Sequence, residues 1–283
     1  MTFLSYPAVA SLCALFLWWF STGMVLYIVG RPGWNSRGCV LAAGAVFTAS
    51  LYALARSSGD TSVAGAYISF TCAVLLWGTQ EFGFLTGFIT GPRSQACPEG
   101  CTGLRRAAFA IEAILYHEVA LLLSGAAVVA VTWNSENQFG TSTFLMLWAM
   151  RVSAKLNLFL GVPVLNDEFL PGCLEHLKSF FSQKPISLFF PLAVTAATAV
   201  TTLLVNTALA SDASAFQSTG YTLLASLLAL GVLEHWFMVL PLPIAALWSW
   251  GMGSRTDQVQ ERAGASLVQD ARVRRVVAKI PDQ

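Results

Sequence analysis

Eight ionisable side chains lie inside long apolar stretches of this chain: Glu81, Glu112, His117, Glu118, Arg151, Lys155, Glu234 and His235. A charge at the centre of a membrane helix costs about 2.5–3.5 kcal/mol on insertion scales, so such residues ordinarily meet partners or carry function. Four carboxyls, two cations and two imidazoles come close to neutralising one another, and three chemistries fit them. Paired as ions, they specify how helices pack. His117 or His235 has the ring nitrogen that a metal ion, or the magnesium of a bacteriochlorophyll, accepts as a ligand. Carboxyl and imidazole in series relay protons. Arg151 and Lys155, four apart, share a helix face. The neighbours His117-Glu118 and Glu234-His235 diverge by about 100° and address two surroundings each. The Glu-x-x-His spacing of di-iron carboxylate bundles is absent, since Glu112 and His117 stand five apart. There is also no HExxH, nucleophile elbow or Gly-rich phosphate loop. Cys97 and Cys101 form a single C-x3-C without the second pair a zinc site needs. A non-catalytic role is therefore favoured.

The elements that must position these residues are membrane helices. The chain has 283 residues, 55% hydrophobic and 11% charged, with mean hydropathy +0.63, against roughly 25% charged in soluble domains. A net charge of +1 gives no electrostatic footprint for nucleic acid. A span needs about 20 apolar residues, and seven stretches qualify, over about 5–29, 38–55, 62–90, 104–132, 141–161, 186–209 and 219–250. Turn chemistry separates them, as in Arg31-Pro32-Gly33-Trp34-Asn35, Gly91-Pro92 and Pro171-Gly172.

The cations orient the spans, because cytoplasmic loops are enriched in Lys and Arg. Arg31 and Arg37, then Arg93, Arg105 and Arg106, then Lys178 and Lys184 fall on one side. The tail adds Arg255, Arg262, Arg272, Arg274, Arg275 and Lys279 to that side, while Arg56 stands alone opposite. The expectation is an all-α, polytopic protein with seven transmembrane helices, N-terminus outside and C-terminus cytoplasmic. Residues 1–252 form the membrane domain, and 253–283 a cytoplasmic tail with a weak amphipathic pattern. Residues 1–30 hold no Lys or Arg, so the first span reads as a retained anchor. Leu174, Leu177, Phe180 and Phe181 among polar residues predict a short amphipathic helix over about 172–184 on the cytoplasmic interface. In this orientation all eight charges fall between mid-membrane and its cytoplasmic half. One shared cluster is then expected, with Arg151 and Lys155 as counter-ions to Glu112, Glu118 and Glu234. Asn166, Asp167 and Glu168 are placed at its cytoplasmic mouth.

Several blocks at these residues resemble the PuhE family of photosynthetic complex assembly proteins. They are Leu85-Thr86-Gly87 through Thr90-Gly91-Pro92-Arg93 with Cys97-Pro98, and Ala113-Ile114-Leu115-Tyr116-His117-Glu118. The longest runs from Met150-Arg151-Val152-Ser153-Ala154-Lys155 to Gly161, continuing through Leu165-Asn166 to Glu168-Phe169-Leu170-Pro171. The last is Leu233-Glu234-His235-Trp236-Phe237 with Leu240-Pro241-Leu242-Pro243. The resemblance covers about residues 80–252. It implies a role in forming the reaction centre and light-harvesting complex, or in supplying its bacteriochlorophyll, in the inner or intracytoplasmic membrane of a bacterium. The expected partners are photosynthetic complex subunits or pigment-synthesis proteins, and membrane lipid. The competing expectation is an intramembrane metal-dependent enzyme acting on a tetrapyrrole or another lipid-soluble substrate.

Overall fold

The structure, a computed structural model, describes residues 5–31 and 37–251. The turn at 32–36 and the tail pattern beyond residue 251 lie outside the described residues. Seven α-helices follow one another: α1 Ser5–Val29, α2 Arg37–Ser57, α3 Val63–Leu85, α4 Gly103–Val131, α5 Phe139–Leu160, α6 Phe189–Ala208 and α7 Ala215–Phe237. All seven are long and apolar enough to cross a membrane; at 1.5 Å per residue they measure roughly 30–43 Å, enough for a hydrocarbon core of about 30 Å. No strand occurs among the described residues, only an isolated bridge between Val162 and Gln183.

Burial separates the central helices from the peripheral ones. About half of each spanning window of α3 and α7 is buried, against 11–28% for the other five, so these two form the centre. α1 and α5 pack on both, α2 lies on α3, α6 on α7, and α4 on α2, α3 and α5. The exposed Leu41, Tyr52 and Leu123 face outward, as lipid contact allows.

Local chemistry sets the helix ends and corrects two expected spans. The third does not run to residue 90: α3 stops at Leu85, Gly87 takes φ +80°, and residues 86–92 turn back along α4. A left-handed residue ends a helix, and glycine takes it without steric cost. The seventh begins earlier than expected, at Ala215, because Ser214 and Gln217 form a capping box. It ends at Phe237 rather than continuing to 250, because Pro241 and Pro243 cannot extend a helix. A 3-10 turn over Ile244–Trp248 follows.

The amphipathic pattern expected over 172–184 falls on a 3-10 helix, Gly172–Phe180. In a 3-10 helix positions i and i+3 eclipse, which puts Leu174, Leu177 and Phe180 in one row. That row is buried against Phe84 and Ala113 of the bundle. At the opposite end of the molecule, Asn137 ties two loops together. Its amide donates to the carbonyls of Asp60 and Gly65, both at 3.0 Å, and to the Ser69 hydroxyl at 2.9 Å.

Candidate functional site

The face of α5 that carries Arg151 and Lys155 meets α3 and α4, and there the ions pair. The Arg151 guanidinium donates to Glu81 at 2.9 Å. Lys155 donates to Glu118 at 2.5 Å. The second oxygen of Glu81 stands 3.9 Å from Nε2 of His117. The His117 ring is fully buried and lies 4.4 Å from the Phe84 ring, centroid to centroid. The Lys155 ammonium is 5.6 Å from that same phenyl ring. Glu118, Lys155, His117, Glu81 and Arg151 thus form one contiguous cluster, with Phe84 in its middle. Both ring nitrogens of His117 and Oε1 of Glu81 have no hydrogen-bond partner.

The backbone of α4 is altered at the same place. The amide of His117 donates to the Thr90 carbonyl, at 2.9 Å, outside its own helix. The returning segment comes this close because Gly91 lies on the α4 backbone, where a Cβ would overlap the Glu112 and Ala113 carbonyls. An inserted group of this kind is a recognised cause of local helix distortion.

The remaining expected members stand apart from this cluster. Glu112 is half exposed and pairs with Arg93 at 3.8 Å, not with Arg151 or Lys155; six residues before Glu118 on α4, it reaches the returning loop instead. Glu234 forms no ion pair among the described residues and accepts from the Trp18 indole at 2.6 Å. His235 places Nδ1 2.8 Å from the Gly231 carbonyl and Nε2 2.8 Å from the Ser153 hydroxyl. A carbonyl only accepts, so Nδ1 carries the proton and Nε2 accepts from Ser153. Both nitrogens of His235 are occupied, and neither is available to a metal in this arrangement. Among the described residues no group of three or more His, Cys, Asp or Glu side chains is placed to hold a metal ion.

Beside the ions, a cavity of about 480 Å³ runs between α1, α3, α5 and α7. Glu81, Arg151, Lys155 and Glu234 line it, within walls that include Trp18, Phe70, Met146 and Trp248. Its volume falls within the roughly 300–1,000 Å³ of small-molecule sites, which are likewise mostly apolar with few polar groups. Gly78 lies on its wall, with open space where a Cβ would stand. The end of the cavity is built by Asn166, held at φ +48° and donating to the Phe237 carbonyl at 2.9 Å. Asp167 pairs with Lys178 at 3.0 Å.

Sequence reasoning missed Trp18, Gly78, Thr90 and Arg106. Arg106, counted only as a topological charge, donates to the Phe180 carbonyl at 2.6 Å and the Ser182 hydroxyl at 2.8 Å, fastening α4 to the loop end. The signal for Trp18 was the Trp18-Trp19 doublet near the middle of a mostly apolar span. Outside the spans, burial pushes the His176 imidazole below its ordinary value. Asp60 is held low by the Ser62 amide, 2.8 Å away, and by the Ser62 hydroxyl.

Residues 4–259 match the family described as "Protein of unknown function (DUF3623)". The chain is 38% identical over 258 residues to the "Uncharacterized 30.4 kDa protein in puhA 5'region" of Rhodobacter capsulatus. That alignment covers 90% of this chain and 94% of the relative. No solved structure matches. With both comparisons running over nearly its whole length, this chain belongs to the DUF3623 family.

Proposed function

We propose that the protein is a non-catalytic assembly factor of the bacterial inner or intracytoplasmic membrane. It serves the photosynthetic reaction centre and light-harvesting complex, or its bacteriochlorophyll supply, and acts by holding an apolar client in the intramembrane cavity. The observation that carries the mode of action is the cavity itself: about 480 Å³, apolar and aromatic over most of its wall, with four charged side chains among its lining. The client class rests on the PuhE resemblance and on the printed description of the relative, which refers to the puhA 5' region. The pairing of Lys155 with Glu118 and Arg151 with Glu81 supports holding rather than turnover, since each cation is already engaged by a carboxylate. Thirteen cations on one side of the spans support a cytoplasmic C-terminus; that end of the bundle carries the returning loop, the 172–180 helix and the cavity mouth.

Deletion of the gene in a phototrophic host tests this reading by absorption spectroscopy and pigment extraction. The expected result is a lower yield of assembled complex with a normal set of pigment intermediates. Accumulation of a single tetrapyrrole precursor would contradict it and favour an enzymatic step.

A further inference from the structure

Glu234 differs from every other carboxyl of the buried set. Glu81 and Glu118 each meet a cation, at 2.9 and 2.5 Å, and Glu112 meets Arg93 outside the cavity. Among the described residues no basic nitrogen lies within 4.0 Å of Glu234. Its one hydrogen bond comes from the Trp18 indole, and its side chain is exposed on the cavity wall. A carboxyl left this way at membrane depth either keeps its own proton or is matched by a positive group from elsewhere.

The surroundings narrow what that group is. Trp18 and Trp248 line the cavity with ring centroids 5.2 Å apart, edge to face, and Phe169 packs on Trp248 at 5.9 Å. Aromatic rings beside a carboxylate attract organic ammonium groups. A bare Ca2+ or Mg2+ ion is disfavoured, because it takes about six or more oxygen ligands and these walls are mostly hydrocarbon. An anion is disfavoured as well, since both cavity cations are already held by carboxylates. The cavity wall that Glu234 shares includes the apolar Phe70, Met146 and Trp248.

We propose that the cavity binds an amphiphile bearing a protonated amine, whose ammonium pairs with the Glu234 carboxylate beside Trp18 and Trp248. This names the ligand chemistry of the cavity on which the assembly-factor reading rests.

The test is equilibrium dialysis of radiolabelled dodecylamine, dodecanol and dodecanoate against the full chain in dodecylmaltoside at pH 7. The expected result is saturable binding of one amine per chain, at least about tenfold tighter than the alcohol, a difference of about 1.4 kcal/mol. Glu234→Gln, which keeps an acceptor for Trp18, loses that preference. Glu136→Gln, on the exposed loop at the opposite end of the bundle, keeps it. Equal binding of amine and alcohol, or tighter binding of the carboxylate, overturns the proposal on the natural chain alone, whether or not the variant folds. Unchanged amine binding by a folded Glu234→Gln protein overturns it too. If the amine preference is absent while gene deletion still lowers complex yield, the amine site falls and the assembly role stands.

Discussion

Removing Lys155 leaves Glu118 charged and unpaired, with 24% of its side chain exposed. Breaking one partner of a buried pair typically costs about 3–5 kcal/mol, whereas replacing both with apolar or neutral groups is often tolerated. Lys155→Met is therefore expected to lower stability by about that amount in detergent unfolding, and Glu118→Gln/Lys155→Met to recover much of it. Additive losses would show that the two side chains do not act as a pair. A second residue-scale outcome concerns His176, whose folded-state affinity for protons lies below that of the free imidazole because of burial. The unfolded chain then binds more protons between the two values, so stability is complete above about pH 6.5 and declines as pH falls through that window. The expected readout is a melting temperature that drops from pH 7.5 to 5.5, and drops less in His176→Asn. Equal pH slopes would remove His176 as a contributor. The identity of the buried ions was legible in the sequence because charge in an apolar run needs no alignment to be seen. Of their partners, Glu118 was among the expected counter-ions and does meet Lys155, whereas the partner of Arg151 was not legible, since Glu81 meets it only through the rotation of α3 about its axis.

The elements were legible where hydropathy alone decides them, and less so where backbone geometry does. All seven spans exist near their expected positions, but apolar residues 86–90 and 238–250 were read as helix because hydropathy does not distinguish a buried loop from a span. Gly87 and Pro241 carried the missing information. The returning segment 86–92 is the element on which the cluster depends, because its Thr90 carbonyl takes the His117 amide and Gly91 lies against the α4 backbone. Gly91→Ala places a methyl group against the α4 backbone, which cannot yield as a side chain would. A loss of about 1–3 kcal/mol is expected, as for overpacking elsewhere, together with faster amide exchange at His117. Wild-type exchange at that amide would mean the segment does not hold α4. The period of the 172–180 helix was legible from its apolar spacing, but which surface covers it was not, since a row facing lipid and a row facing protein have the same composition.

At the scale of the whole molecule, the bundle holds a cavity that no sequence pattern marks, because its wall is assembled chiefly from α1, α3, α5 and α7 at large separations along the chain. Its charged side chains and its apolar walls together carry the proposed function, in which a client held there is needed for assembly of the complex. Gly78 gives the most direct test, since it sits on the cavity wall with nothing within 4 Å of where its Cβ would be. Gly78→Leu fills the space without a clash at Cβ and gains up to about 1 kcal/mol of helix propensity. The measurement is the yield of assembled photosynthetic complex when this variant replaces the natural chain in a deletion strain, with protein level and melting temperature followed alongside. The account predicts a protein at least as stable and as abundant as the natural one, with complex yield reduced towards that of the deletion. Full yield at that same abundance would contradict it, showing that the cavity is not where the protein works.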